Sequence, residues 1–521
     1  MLDLQNINQA KLNMLNYDPS IFGNVDNSYT QFLNKIEIDE FRNIKNLTLS
    51  FDCPVTILTG TNKIGKTSIL LLICCSYFEF MRYDSTKPET ILRRHTWKDV
   101  IPFTNHENTT REYGYKVSWR LGNSSRNGFA KRNPSTKAWT GVGKASSDIN
   151  RVNAQIKGRE VRFIDLERIS PARNTSNSLM RKISNFHPTR VSAEIEQAFA
   201  YIFDYPRVEI FEIGSHINKS AFLISNPTLT YSSYNAASGE ESLINILIEI
   251  FAVPNNSLII IDELEAGFHP YIQRKIADVI SYLSWRQKKQ FIITTHSPSL
   301  LAAFPQKSRK FIDKKDNGDY EVISKISVNA AFSKMDSQAY PLIQLYCEDD
   351  IAEFIIKNIL IELNASNRHF ERLVNIIKSG PIDQVKNDYV RHKRNYSQLR
   401  LKVGFCCVFD GDHKDHPNYS SYYENPNEFS FFLYPYTAPE KFLVSSYLVN
   451  NSNTQLNTAL QYSDHHSLFR EMVNLGLAVD EYQALNICWV SFKSTPEYNK
   501  LFTDFKDFII TTTKYFSEVN E

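Results

Sequence analysis

The feature that most constrains this 521-residue chain is a glycine-rich segment, residues 60–67 (GTNKIGKT), which we call the phosphate loop. It follows a strand-like apolar run (VTILTG) and precedes a helix-like apolar run (SILLLICC). The spacing G-x-x-x-x-G-K-[ST] between a strand and a helix lets backbone N–H groups surround phosphates, and the start of the helix adds its positive dipole. We therefore expect an α/β fold that binds ATP, with contacts from Gly60, Asn62, Gly65, Lys66, Thr67 and Ser68.

Two further strand ends complete the expected nucleotide site. Residues 257–263 (SLIIIDE) predict an apolar strand ending in Asp262, which would share Mg²⁺ with Thr67, and Glu263, which would polarise the attacking water. The run is too apolar to be an exposed acidic strand end. Residues 291–297 (FIITTHS) predict a second buried strand that ends at His296, close to the γ-phosphate. The pattern therefore indicates ATP hydrolysis.

A fourth segment brings in a family resemblance. Residues 237–242 (ASGEES) predict a helix start with a serine cap and acids in the first turn. Taken in order with the phosphate loop, LIIIDELEAGFHP and TTHSPSLL, this segment resembles the ABC/SMC-like ATPase heads, especially those of the RecF and OLD (overcoming lysogenization defect) families. The resemblance implies that Ser238 and Gly239 contact ATP bound by a neighbouring head, so that the protein is a homodimer or higher oligomer. It also suggests that residues 169–173 (ISPAR) replace the glutamine loop.

A second group of acids lies further along the chain. Glu348 follows a strand-like run, and Asp410 and Asp412 follow another about sixty residues later. If the strands are parallel, their ends meet at one edge of the sheet, and alternation places Asp410 and Asp412 on the same side. Carboxylates in such a position can share a divalent ion. Calcium loops and surface turns also carry D-x-D, so it is the pairing with Glu348 that favours a metal site, and this pattern resembles the Toprim domain.

The same resemblance implies further members of that metal site. The next acid would be Asp350, with Glu353 as the alternative, and a segment containing Glu440 resembles the OLD segment that supplies another carboxylate. Lys493 is the candidate for a lysine near the C-terminal end, although an ordinary surface lysine is the alternative. Mg²⁺ or Mn²⁺ held there would activate water and stabilise the leaving oxygen of a phosphodiester.

The domain organisation follows from these motifs. We expect an N-terminal arm (1–34), an ABC/SMC-like P-loop ATPase head (35–335) with an insertion at about 100–205, a Toprim domain with a Rossmann-like parallel sheet (336–450), and a helical C-terminal extension (451–521).

Composition narrows the setting without deciding the function. The net charge is only +2, but residues 111–160 contain eleven Lys/Arg against three acids, and residues 378–402 are also basic. Such clusters suit DNA phosphates, although they are also typical of a solvated face. Seven cysteines without a CxxC pair, no secretory signal and no apolar run long enough for a bilayer predict a reduced, cytoplasmic protein without membrane association.

The favoured hypothesis is an ATP-hydrolysing, metal-dependent DNA endonuclease of the OLD type. By resemblance it would act in anti-phage defence, with a partner such as a retron reverse transcriptase carrying its DNA, or a helicase-like protein. One alternative is a RecF- or SMC-like DNA clamp without nuclease activity. Another is a topoisomerase or primase, which is disfavoured because neither a tyrosine-bearing cleavage domain nor a zinc module is recognisable.

Overall fold

The computed structural model describes residues 4–17, 29, 31–83, 92–104, 106, 111–121, 124–142, 158–166, 187–216, 219–233, 238–314, 318–335, 341–364, 370–399, 402–425 and 428–519. The chain divides into two compact units, Met1–Val328 and Asn329–Glu521. None of the described helices is long and apolar enough to span a membrane.

The strands of the first unit are β1 Gln31–Phe41, β2 Ile44–Ser50, β3 Val55–Gly60, β4 Phe80–Tyr83, β5 Leu92–Arg94, β6 Tyr113–Leu121, β7 Ser124–Arg132, β8 Trp139–Gly141, β9 Val161–Ile164, β10 Thr189–Arg190, β11 Glu209–His216, β12 Lys219–Ser225, β13 Thr230–Ser232, β14 Leu258–Ile261, β15 Gln290–Thr294, β16 Arg309–Lys314 and β17 Tyr320–Ser324. Its helices are α1 Leu4–Asn16, α2 Lys66–Cys74, α3 Trp97–Val100, α4 Ala193–Phe203, α5 Ser238–Ala252, α6 Pro270–Gln287 and α7 Pro298–Ala303.

A mixed sheet forms the centre of the first unit, in the order β17-β16-β3-β15-β14-β9-β4-β5. Strands β16, β3, β15, β14, β9 and β4 are parallel, and β17 and β5 add antiparallel edges. Every residue of β3, β14 and β15 is buried, as continuous apolar runs in parallel sheets require. The carboxyl ends of β3, β14 and β15 therefore lie side by side, where the sequence places the phosphate loop, Asp262 and His296.

A second sheet, antiparallel, has the order β2-β1-β6-β7-β8. It absorbs part of the segment that the sequence predicts as an insertion, because β6 pairs directly with β1. In β6 the side chains of Tyr113, Tyr115, Val117 and Trp119 alternate towards the core. The described part of the predicted insertion is thus built into the head rather than set apart from it.

The described part of the predicted N-terminal arm forms a helix and the start of a strand. Helix α1 packs on α6, buries Ile7, Ala10 and Met14, and forms an ion pair between Lys11 and Asp278. Strand β1 begins at Gln31, so the predicted boundary at residue 34 falls inside a strand. A third, antiparallel sheet, β10-β11-β12-β13, precedes α5 in the chain.

The strands of the second unit are β18 Ile343–Cys347, β19 Val374–Lys378, β20 Gly404–Phe409 and β21 Ser430–Phe432. Its helices are α8 Val328–Met335, which begins at the boundary between the units, α9 Asp350–Asn364, α10 Phe370–Leu373, α11 Ile382–Asn395, α12 Ser420–Glu424, α13 Pro439–Asn450, α14 Thr454–Tyr462, α15 Leu468–Asn474, α16 Glu481–Lys493 and α17 Pro496–Val519.

The sheet of the second unit has the order β19-β18-β20-β21, and all its pairings are parallel. Helix α17 packs closely against the start of β20, since a Cβ on Gly404 would lie 2.4 Å from the Phe516 ring. The residues after 450 therefore belong to the same compact body as the sheet. The parallel pairing of β18 with β20 places the residues that follow each strand at one edge.

Candidate functional site

Two glycines allow the phosphate loop to make its tight turns. Gly60 has φ +154°, and a Cβ there would lie 2.6 Å from the Ile312 carbonyl oxygen. Gly65 has φ +92° and precedes α2, where a Cβ would lie 2.8 Å from a methyl carbon of Ile44. No other residue type fits these positions without displacing its neighbours. The predicted strand–loop–helix arrangement is confirmed.

Lys66 is folded into the loop. Its side chain is buried, and Nζ donates to the carbonyl oxygens of Gly60 at 2.9 Å and Thr61 at 3.3 Å. Burial lowers the pKa of Lys66, while the carboxylates of Asp262 and Glu263 oppose that shift. The ammonium group is thus held beside the acids at the strand ends.

Asp262 joins three parts of the sequence. Its Oδ2 accepts from Thr67 Oγ1 at 2.7 Å, and its Oδ1 accepts from Thr294 Oγ1. The Thr294 hydroxyl also accepts from the backbone N–H of Glu263, at 2.8 Å. Thr67 and Asp262 offer the hydroxyl and carboxylate oxygens that Mg²⁺ prefers. Sequence reasoning missed Thr294, although it is the first threonine of the TTHS segment.

The residues expected to act on the γ-phosphate lie around this centre. Glu263 has a left-handed backbone (φ +54°), which is uncommon for a non-glycine residue and is often found at functional sites. The backbone N–H of His296 donates to Glu265 Oε1 at 2.5 Å. Burial and the nearby Lys66 ammonium lower the pKa of His296, so its ring is neutral at pH 7. Glu265 is a second residue that sequence reasoning did not single out.

The signature segment begins α5 as predicted. Gly239 lies in the first turn, where a Cβ would come within 3.1 Å of the Gly267 carbonyl oxygen. Glu240 accepts from Tyr231 Oη at 2.8 Å, so this acid supports the local fold. The side chain of Ser238 and residues 169–173 lie outside the described part of the chain, and their predicted roles stay predictions.

Part of the basic stretch of the first unit is used in internal contacts. Arg111 pairs with Glu40 at 3.0 Å, and Lys131 pairs with Glu112. Arg132 is only 1% exposed, with its guanidinium 4.1 Å from the centre of the Phe103 ring. These contacts neutralise or bury three of the charges, which weakens the case for DNA contact at this surface.

The second unit brings the predicted acids together. Glu348 follows β18, Asp410 follows the adjacent β20, and Glu348 Oε1 accepts from the backbone N–H of Asp410 at 3.0 Å. Burial raises the pKa of Glu348 to about 7, and burial and the charge of Glu348 raise the pKa of Asp410. Within the described residues, Asp410 Oδ1 is buried without a hydrogen-bond partner. We call Glu348, Asp410 and their acidic neighbours the acidic centre.

Three more carboxylates act on this pair. Asp349, Asp412 and Glu440 each raise the pKa of both Glu348 and Asp410. Asp349 also caps α9, accepting from the backbone N–H groups of Ile351 and Ala352 at 2.9 Å. The capping contacts give Asp349 a structural role at the start of α9. Asp412 lies in a short turn and is partly exposed, whereas Glu440 is 2% exposed in the first turn of α13.

The two candidates for the next acid share one partner. Asp350 is 85% exposed and forms an ion pair with Lys378, and Glu353 lies 3.4 Å from the same Lys378 Nζ. The structure therefore leaves the choice between Asp350 and Glu353 open. It does bring a lysine, Lys378 at the end of β19, to this edge of the sheet.

Lys493 pairs with an acid outside the acidic centre, and the prediction that it completes the metal site stays a prediction. Its Nζ forms an ion pair with Glu362 at 2.6 Å. Glu362 is twelve residues along α9 from Asp350, which corresponds to about 18 Å at the rise of an α-helix. The sequence pattern identified a lysine after an apolar helix but not the acid that it meets.

One histidine at the acidic centre was not predicted. His413 Nε2 lies 3.7 Å from Asp412 Oδ1 and 4.0 Å from Glu348 Oε2. Its position three residues after Asp410 was the sequence signal that could have placed it at the acidic centre.

The geometry of the first unit defines a class. A glycine-shaped phosphate loop, a buried lysine and a threonine–aspartate pair at the edge of a parallel sheet are the elements of a P-loop ATPase. Residues 55–302 match the family described as "AAA domain, putative AbiEii toxin, Type IV TA system". The first unit therefore contains a P-loop ATPase domain, and its sequence is similar to this family.

Several solved structures are similar to this chain over slightly more than half of its length, at low sequence identity. The SMC head domain from Thermotoga maritima is 12% identical, covering 56% of this chain and 98% of that one (TM-score 0.35). An Smc head bound to the C-terminal domain of ScpA, from Pyrococcus furiosus, is 10% identical (56% and 96%; TM-score 0.35). The recombination mediator RecF is 11% identical (57% and 99%; TM-score 0.33). No curated protein matches the sequence.

Proposed function

We propose that the protein is an ATP-hydrolysing, divalent-metal-dependent DNA endonuclease of the OLD type. The observation that carries the proposal is the contact between Glu348 and Asp410 at the ends of two adjacent parallel strands. The buried carboxyl groups of Glu348 and Asp410 act on each other through their charges, so ionising both is unfavourable, and a divalent cation between them would remove that repulsion.

The residues present fit such a cation. Asp410 has a buried oxygen that no described residue satisfies, and Asp412 and Glu440 lie within electrostatic range. An ion held here supplies an activated water and neutralises charge on the phosphodiester. Asp412 is partly exposed, which suits a ligand at the surface that DNA reaches. His413, beside Asp412 and Glu348, is placed to move a proton at this edge.

The ATPase unit would control this activity. Lys66, Thr67 and Asp262 hold the nucleotide and Mg²⁺, Glu263 orients the attacking water, and Ser238 serves ATP on a neighbouring head. The proposal therefore includes a homodimer or higher oligomer. DNA is the proposed substrate, and Mn²⁺ is an alternative ion at the acidic centre. We further propose that the protein is cytoplasmic and acts in anti-phage defence. Its partner there would be a retron reverse transcriptase or a helicase-like protein.

Cleavage of plasmid and phage DNA tests the proposal. The full-length protein should cut DNA with Mg²⁺ or Mn²⁺, and the reaction should be measured with and without ATP. Asp410→Asn should abolish cutting and retain ATP hydrolysis, because Asp410 lies in a separate compact unit. Asp507→Asn, an exposed aspartate on α17, is the matched control and should leave both activities unchanged. DNA cutting that persists in Asp410→Asn and in the presence of chelator would refute the proposal. ATP hydrolysis without DNA cutting would favour the alternative of a RecF- or SMC-like DNA clamp.

A further inference from the structure

Three side chains of the second unit converge at the acidic centre, and the sequence predicted only the carboxylate among them. They are Glu440, at the start of α13, and His465 and His466, in the short turn between α14 and α15. One ligand atom from each side chain lies within 4.8 Å of the other two. His466 Nδ1 is 3.0 Å from Glu440 Oε1, and the two imidazole rings are 4.0 Å apart between centroids.

The carboxylate of this group is buried and the two imidazoles are partly or largely exposed, an arrangement that suits ion binding. Glu440 is 2% exposed, while the side chains of His465 and His466 are 31% and 66% exposed. A buried carboxylate requires a charged or hydrogen-bonding partner, and here the partner is the exposed imidazole of His466, with His465 close by. The carboxylate forms the floor of the group, and an ion can reach it from the histidine side.

We propose that Glu440, His465 and His466 bind a nitrogen-preferring transition-metal ion of the Zn²⁺ or Co²⁺ type. Imidazole nitrogen suits these ions, whereas Mg²⁺ prefers sites made of oxygen. Two histidines and a glutamate are also a sufficient protein ligand set for Zn²⁺, and they leave a fourth position for water. This site differs in chemistry from the all-oxygen pair of Glu348 and Asp410.

A neighbouring acid supports the arrangement. Asp464 Oδ1 lies 3.5 Å from His465 Nδ1, and the same side chain accepts from the backbone N–H of His466 at 3.3 Å. Histidines that bind metals commonly have a carboxylate next to the other ring nitrogen, which fixes the orientation of the ring. Asp464 thus holds the turn, and because its carboxylate lies beside Nδ1 of His465, the other ring nitrogen, Nε2, is the one that would bind the ion.

The site is linked to the acidic centre through Glu440. The charge of Glu440 acts on both Glu348 and Asp410, so an ion on Glu440 offsets part of the repulsion among the acids. Its occupancy therefore adjusts how readily the acidic centre takes up its own ion. This link rests on the proposed function, whereas the metal site itself rests on its own geometry.

Titration with Co²⁺, without DNA or ATP, tests the site. After chelator treatment, the full-length protein should bind Co²⁺ with visible d–d absorption, and Zn²⁺ should displace it while millimolar Mg²⁺ should not. His466→Ala and His465→Ala should each weaken Co²⁺ binding by roughly tenfold or more, since even loss of outer-shell partners has effects of this size. His187→Ala, an exposed histidine of the first unit, and Glu348→Gln should keep the absorption.

The side chain of His466 is largely exposed, so its loss should leave the fold intact, and circular dichroism of each variant is the check. Unchanged absorption in both histidine variants, or displacement of Co²⁺ by Mg²⁺ as readily as by Zn²⁺, would overturn the proposal. DNA cutting without the Co²⁺ absorption bands would refute the proposed transition-metal site and support the proposed nuclease activity. Co²⁺ absorption bands without any DNA cutting would support the transition-metal site and refute only the proposed nuclease activity.

Discussion

Replacing Glu348 with glutamine should stabilise the metal-free protein at alkaline pH. The carboxyl is 12% exposed, and its pKa is raised from 4.5 to about 7 by burial and by its acidic neighbours. The folded state thus keeps a proton that the unfolded chain releases above pH 4.5. The contribution of Glu348 to the free energy of unfolding is therefore fully present below pH 4.5 and is lost as pH rises through about 7. A pKa shift of this size corresponds to a loss of at most about 3 kcal/mol in the free energy of unfolding at pH 8.

Glutamine removes the ionisation and can still accept from the backbone N–H of Asp410. In chelator, Glu348→Gln should therefore melt at a higher temperature than wild type at pH 8, by up to roughly 6–12 °C for a unit of this size. The difference should vanish near pH 4.5. Thermal unfolding followed by circular dichroism at several pH values measures it.

The matched control is Glu353→Gln, on helix α9, which begins two residues after Glu348. Contact with Lys357 and Lys378 lowers the pKa of Glu353, so this substitution should slightly destabilise the protein at pH 8. Addition of Mg²⁺ or Mn²⁺ should raise the melting temperature of wild type more than that of Glu348→Gln. If Glu348→Gln melts no higher than wild type at pH 8 in chelator, the acids do not repel one another as described.

Three predictions concern the nucleotide site. Lys66→Ala should abolish ATP binding, whereas Glu263→Gln should bind ATP and hydrolyse it slowly; a binding titration and a phosphate-release assay separate these effects, and unchanged hydrolysis in Glu263→Gln would contradict the assignment. Mixing Lys66→Ala chains with Ser238→Arg chains should restore one working site per mixed dimer, and full ATPase activity in a monomer would rule out shared sites. Thr294→Val should reduce the rate of phosphate release by about tenfold or more while changing ATP affinity less, because its hydroxyl positions both Asp262 and the backbone of Glu263; an unchanged rate would mean that this hydroxyl has no positioning role.

The features that were predictable from sequence depend on local geometry or on a general rule of sheets. The phosphate loop, Asp262 and His296 each follow an apolar strand, and parallel strands bring their carboxyl ends together. The same rule predicted that Glu348 and Asp410 would meet, because β18 and β20 are parallel neighbours.

Features that depend on distant partners were not predictable. The pairing of Lys493 with Glu362 joins two helices whose relative placement no local pattern specifies. The contact of Thr294 with Asp262 links residues on different strands, and Glu440 meets His466 across a gap of 26 residues. Strand β6 was missed for another reason: its alternating aromatic residues lie among many basic and polar ones, which conceal the period of two.

The contact between Gly404 and Phe516 has a consequence for the order in which the two units become complete. Phe516 is 1% exposed and packs on Phe405, so it belongs to the structure that supports β20, the strand that leads to Asp410. A ribosome must synthesise the chain past residue 516 before that strand is covered, and by then all of Met1–Val328 has been made. Since domains generally fold in the order of their synthesis, the nucleotide-binding unit can be folded before the acidic centre has its full support.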